Sequence, residues 1–204
     1  ILISIGAGIV TAVIGGILMR RIKIDPVADK EFHFASVEKV FAPAMIFTAC
    51  AMAFAHGSND VANGVGPMAA VVSLVENVGD VTQKASLPIW ILIVGGVGIV
   101  VGLGTLGYRV MQTIGKDITA LTPTRGFCAT LAAATTVVVA SRTGLPVSTT
   151  HIAVGAVIGV GLARGLGAID LRVIGTIILS WLVTLPVGAG LAALFFFTLK
   201  GMFT

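Results

Sequence analysis

Charge is what this chain lacks most. Only 11% of its 204 residues are Asp, Glu, Lys or Arg, against about 25% in an ordinary soluble domain. With 56% hydrophobic residues, too little polar surface remains to cover a water-soluble fold, and the mean hydropathy of +1.06 describes an integral membrane protein. Cysteine is nearly missing. Cys50 and Cys128 both lie in apolar segments, with no CxxC and no His/Cys cluster, which favours buried thiols over a disulfide or a metal centre. The net charge of +4 is small and calls for no nucleic-acid partner. A signal peptide is missing too: Ile1–Met19 has no basic leading region and ends at Arg20-Arg21 without a small-residue cleavage site. The chain opens without Met, inside an apolar run, and reads as part of a longer protein. Glycine, by contrast, is abundant at 26 residues, as expected where helices pack closely in lipid.

Taken in order, residues 1–19 are long enough for a transmembrane helix. Residues 20–39 form a charged loop holding Arg20, Arg21, Lys23, Lys30 and Lys39, the densest basic cluster in the chain, and the positive-inside rule places that loop in the cytoplasm. Residues 40–204 form the main membrane body. Within it, residues 87–108 and 171–199 read as full spans, the second with Pro186 inside. Gly102-Leu-Gly-Thr-Leu-Gly107 matches GxGxxG, but it lies inside a span and follows no strand, so helix packing explains it.

The chain spends polar groups inside apolar sequence at Phe54-Ala-His56-Gly57-Ser58-Asn59-Asp60-Val-Ala-Asn63-Gly64. Its apolar flanks are each shorter than the roughly 20 residues a spanning helix needs. This predicts a hairpin over about 40–76, broken near 58–60, with Ser58, Asn59 or Asp60 capping the second arm. A second hairpin is predicted over about 124–162, broken at Arg142-Thr-Gly-Leu-Pro146-Val, because Pro146 denies the residue before it helical geometry. Ser148-Thr149-Thr150-His151 then opens a new helix. Irregular backbone at membrane depth is tolerated only where it lines a cavity or is buried in protein. Paired broken helices are the design of secondary transporters, whose helix amino ends face an anion.

Asp60 is the carboxylate inside the apolar body, and an intramembrane ionisable group is by default functional. It either ligates a hard cation such as Na⁺ with Asn59, Asn63 and carbonyl oxygens, or accepts the proton of a protonated oxyanion, or carries the coupling proton. Ser148, Thr149 and Thr150 read as hydroxyl donors to a tetrahedral anion. His56 and His151 read as hydrogen-bonding structural residues. Arg142 either serves the site or sits in water at the hairpin tip, and Arg109, Arg125 and Arg164 read as snorkelling side chains. His56, Ser58 and Asp60 are crowded within five residues, whereas a hydrolytic triad converges from separate elements, so an enzyme is not expected.

At these residues the chain resembles the inorganic phosphate transporter family, the sodium- or proton-coupled phosphate permeases. The stretches that carry the resemblance are Gly57-Ser-Asn-Asp-Val-Ala-Asn63-Gly and Gly144-Leu-Pro-Val-Ser-Thr-Thr-His151, with Arg125-Gly-Phe between them. The resemblance implies an all-α polytopic membrane transporter, of which this chain is the second half of an inverted repeat. It implies inorganic phosphate as substrate, Na⁺ (or H⁺) as coupling ion, no organic cofactor, and alternating access. It carries Asn59, Asp60 and Asn63 over to the first signature and Ser148, Thr149 and Thr150 to the second. With the reading of the residues above, the expected substrate residues are Ser58, Asn59, Asp60, Ser148, Thr149 and Thr150, and the expected coupling-ion residues are Asn59, Asp60 and Asn63. The other repeat half, a bilayer of plasma or inner-membrane type, and a homo-oligomeric assembly are the implied partners. Some relatives carry glutamate where this chain has Thr130. Sulfate permeases share the family, so a sulfate permease of the same fold is the rival reading, and an anion channel a more distant one.

Overall fold

The computed structural model describes residues 35–76 and 87–203, with scattered helical positions between 10 and 20. The expected helix over 1–19, apart from those positions, and the loop as far as residue 34 lie outside the described residues. The elements run α1 (Ala35–Glu76), α2 (Ile89–Gln112), a π-helical turn (Thr113–Asp117), α3 (Pro123–Thr143), α4 (Thr149–Ala163), a 3-10 turn (Leu166–Ala168) and α5 (Leu171–Phe203). Among the described residues, four helical stretches are long and apolar enough to cross a bilayer: Ser36–Glu76, Ile89–Asp117, Pro123–Thr143 and Leu171–Met202.

The first expected break does not exist. One 42-residue helix runs from Ala35 to Glu76 straight through Ser58-Asn59-Asp60, so the hairpin predicted over 40–76 is corrected to a single helix. The cause is local. Between Pro43 and Pro67 every residue keeps its backbone N–H, so the helical ladder can continue, and the polar side chains leave sideways to other elements instead of capping an arm. The helix also begins earlier than the loop reading allowed: Ala35–Lys39 is already helical, with Glu38 in the first turn, where a carboxylate suits the dipole.

The second break is real. α3 ends at Gly144, whose φ of 74° and ψ of 15° are left-handed, the conformation glycine adopts without a Cβ penalty. The Gly144 N–H then donates to Ser141 O at 3.3 Å and the Leu145 N–H to Ala140 O at 3.0 Å, closing the helix end. After extended backbone through Pro146, Ser148 caps α4 by accepting the His151 N–H.

α1 and α3 lie parallel. The Thr124 amide donates to Glu38 at 2.8 Å, Phe41 meets Phe127 edge-on at 5.3 Å, Thr48 and Thr130 share a hydroxyl hydrogen bond at 2.6 Å, and Ser141 reaches Asn59. Close approach is possible because Gly126 has no side chain: a Cβ there would sit 2.8 Å from Met45 Sδ. α2 packs back on the second half of α1 through Val65, Ala69 and Ile91, with Gly95 against Val65. Below, Ile118 of the loop joins Ala129, Val154 and Val157 in the main core, against which Val173, Ile174, Ile177 and Trp181 of α5 pack.

Outside these seams the chain is inside out, with Phe54, Leu185, Phe197 and Met202 all largely exposed. An apolar surface of that extent belongs against lipid or another protein segment. The thiols follow the same logic: Cys50 and Cys128 are free and exposed rather than buried, because a lipid-facing surface is as apolar as a core.

Candidate substrate and ion site

The two polar signatures meet midway along α1. Residues four apart on a helix share a face, so His56 with Asp60, and Asn59 with Asn63, form two adjacent polar rows. The rows face the turn between α3 and α4. There the extended backbone leaves the Val147 carbonyl without a ladder partner, and α1 supplies two: Asn59 Nδ2 donates to it at 2.9 Å and Asn63 Nδ2 at 3.1 Å. The two asparagines thus hold the hairpin tip in register on α1.

Beside them, Thr149 Oγ1 donates to Asp60 Oδ1 at 2.8 Å. Asn59 Nδ2 reaches the same carboxylate oxygen at 3.4 Å, and His56 Nε2 faces the other oxygen. Ser141 Oγ donates to Asn59 Oδ1 at 3.4 Å. Thr149 is 1% and Asn59 8% exposed, whereas the Asp60 side chain keeps 33% of its surface open. Burial matters because a hydrogen bond in low dielectric is stronger, and leaving its partner unpaired costs more.

Of the substrate residues expected from sequence, Asn59, Asp60 and Thr149 come together. Ser148 adjoins them but uses its Oγ as acceptor for the His151 N–H at 3.3 Å. Ser58 and Thr150 are exposed and form no side-chain hydrogen bond among the described residues. Of the ion residues, Asn59, Asp60 and Asn63 share one patch. Ser58, Asn59 and Asp60 do not cap a helix, so the amino end of α4 is the helix terminus at this site.

Sequence reasoning missed Ser141 and the Val147 carbonyl. No motif marks either; both follow only from docking the hairpin on α1. The His151 ring lies 3.8 Å from that of Trp181 and borders a cleft of about 360 Å³ with Ile178, Leu182, Thr184 and Leu185. Arg142 is exposed at the hairpin tip and joins no ion pair among the described residues.

The donor set is hard oxygen: one carboxylate, two amide oxygens, two hydroxyls and a carbonyl. Such a set suits Na⁺ better than a transition metal, and no cluster of three His, Cys, Asp or Glu occurs among the described residues. One carboxylate also matches a single positive charge. At the amino end of α4 the ladder starts with the Ile152 N–H to Ser148 O, so the Thr149 and Thr150 amides stand outside it, as anion sites at helix ends require.

The fold and site define a helical membrane protein with a polar cluster at a helix break. The chain belongs to the phosphate transporter family, whose model matches residues 3–192. It is 57% identical over 170 residues to a protein of Haemophilus influenzae named "Putative phosphate permease", covering 83% of this chain and 40% of that one. It is 46% identical over 196 residues to a similarly named protein of Pyrococcus abyssi, covering 95% and 46%. A solved structure titled "The sodium-dependent phosphate transporter" superposes with a TM-score of 0.82 at 42% identity, over 98% of this chain and 48% of that one. The chain therefore spans less than half the length of these relatives. The family is one of phosphate transporters and not of enzymes.

Proposed function

We propose that this chain is one half of a secondary transporter that moves inorganic phosphate with a cation, Na⁺ before H⁺, by alternating access against a second, inverted repeat. In this reading Asp60, Asn59 and Asn63 hold the coupling ion, with Ser141 completing the oxygen set. Ser148, Thr149 and Thr150 at the amino end of α4 hold the phosphate, and Ser58, Asn59 and Asp60 border it. The second repeat would close the open side of this cluster. A homo-oligomer in a plasma or inner membrane, with residues 20–39 in the cytoplasm, is the setting.

The observation that carries this reading is Asp60 lying against the amino end of α4 through Thr149. An anion at that helix end sits beside a carboxylate and is repelled. Two unit charges about 4 Å apart interact by about 4 kcal/mol at an effective dielectric of about 20. A cation on Asp60 removes that repulsion, so it raises phosphate affinity by roughly three powers of ten. The same coupling must make phosphate raise cation affinity. This links the two solutes without any further device. The sodium-dependent transporter among the structural relatives favours Na⁺.

Labelled phosphate uptake by the full-length transporter in proteoliposomes, with Na⁺ and pH gradients imposed separately, tests the reading. Uptake driven by an inward Na⁺ gradient supports it. Flux indifferent to both gradients would indicate a channel. Full competition by excess sulfate would indicate a sulfate permease of the same fold.

A further inference from the structure

Away from the polar cluster, at the opposite end of the α3–α4 hairpin, two arginines converge on one carbonyl. Arg125, in the first turn of α3, donates from Nη1 to Ala120 O at 3.0 Å. Arg164, which caps the carboxyl end of α4, donates from Nη1 to the same oxygen at 3.4 Å and to Thr119 Oγ1 at 3.2 Å. Their platform is fixed. Thr119 is 4% exposed and donates to Ala168 O at 2.7 Å, and the Asp170 N–H ties back to Ile118 O at 3.0 Å.

Two guanidinium groups sharing one acceptor repel each other, and a single carbonyl dipole does not balance two full charges. Two acids in this region, Glu38 and Asp170, accept backbone amides. Glu38, close enough for Arg125 to act on its charge, accepts the Thr124 amide at 2.8 Å. Asp170 accepts the Arg172 and Val173 amides at the start of α5. The His56–Asp60 contact lies at the other end of the hairpin, and neither arginine pairs with a carboxylate among the described residues. Each guanidinium has five N–H donors, and only one nitrogen of each is engaged here. Arg164 is exposed and Arg125 half-buried, so the unused donors can be reached from outside.

We propose that Arg125 and Arg164 form a binding site for a phosphate group, separate from the polar cluster at Asp60. The planar guanidinium fork matches phosphate oxygens. The site lies where α3 begins and α4 ends, and basic pockets between membrane helices hold acidic lipid headgroups. The phosphate can therefore come from an acidic phospholipid or from free inorganic phosphate. The site stands on its own geometry, whatever the fate of the transport reading.

The test compares the full-length transporter with its Arg125→Gln/Arg164→Gln variant in detergent. Bound lipid is read by native mass spectrometry, and melting temperature by scanning with phosphatidylglycerol, phosphatidylcholine or inorganic phosphate added. Wild type should retain phosphatidylglycerol over phosphatidylcholine, and the double variant should bind it about tenfold or more weakly. Arg142→Gln should bind as wild type. If instead only the stabilisation by inorganic phosphate falls in the double variant, the source is the free anion. If neither ligand distinguishes the double variant from wild type, the proposal is wrong. Should the double variant fail to fold, Arg164→Gln alone, altered at an exposed helix end, should weaken binding several-fold, and unchanged binding in it overturns the proposal. Asp60→Asn should leave lipid retention intact, which separates a failure here from a failure of the transport reading.

Discussion

Thr149 donates its hydroxyl hydrogen to Asp60 across 2.8 Å, although 89 positions separate them in the chain. That contact joins the amino end of one helix to a carboxylate halfway along another. It places an attraction for anions and an attraction for cations at adjoining atoms, which is the minimum that coupled transport of a salt requires.

Thr149→Val removes the donor while keeping the shape of a side chain that is 1% exposed. Thr149 is a phosphate donor in the proposed site, and a hydrogen bond to a charged group is worth about 1.5–3 kcal/mol, so the half-saturating phosphate concentration for uptake should rise at least tenfold. Thr149→Ser should restore it. An unchanged phosphate dependence in the valine variant would detach Thr149 from the phosphate site.

Ser148 acts first as a cap, so Ser148→Ala should destabilise α4 by about 1 kcal/mol, read as a lower melting temperature of the purified protein. Ser148→Asp should recover that stability, since aspartate also caps, while placing a second negative charge at the anion end and abolishing phosphate uptake. Recovery of both stability and uptake in the aspartate variant would show that no anion binds at this helix start.

The two asparagines that clamp Val147 differ in burial. Asn59 is 8% exposed, and Asn63 is exposed. Asn59→Ala should therefore cost about 1–3 kcal/mol and loosen the hairpin tip, measured as faster amide exchange across residues 144–150. Asn63→Ala should cost less. Equal effects would mean that both amides are replaced by solvent equally well.

Gly144 has room for a side chain, since a Cβ added there would meet nothing within 4 Å, but its φ of 74° disfavours one. Gly144→Ala should cost about 1–2 kcal/mol from backbone strain alone, and Gly144→Asn less, because asparagine visits this region more readily. Thermal unfolding of the two variants distinguishes strain from packing.

How far the sequence carries differs from residue to residue. The α3–α4 hairpin is legible because Gly144 and Pro146 act on backbone conformation directly, and such effects need no tertiary context. The continuous α1 is not. Gly57, Ser58 and Asn59 resemble a helix break in composition, yet none removes a backbone donor, and packing against α3 decides the outcome. The chemistry of Asn59, Asp60, Asn63 and Thr149 is visible as polar groups in apolar sequence. Their mutual geometry is not, since it depends on α1 and α3 running parallel. Ser141 and the Arg125–Arg164 convergence leave no trace at all, because a lone serine in a helix and arginines at helix ends are ordinary until the fold brings them together.

Coupling in this scheme depends on the Asp60 carboxylate, and Asp60→Asn tests it most directly. The substitution keeps shape and a polar side chain but removes the charge. With full-length protein reconstituted at equal amounts and correct insertion verified, labelled phosphate uptake under an inward Na⁺ gradient should fall to background in the variant. Gradient-driven uptake at wild-type rates in Asp60→Asn would contradict it.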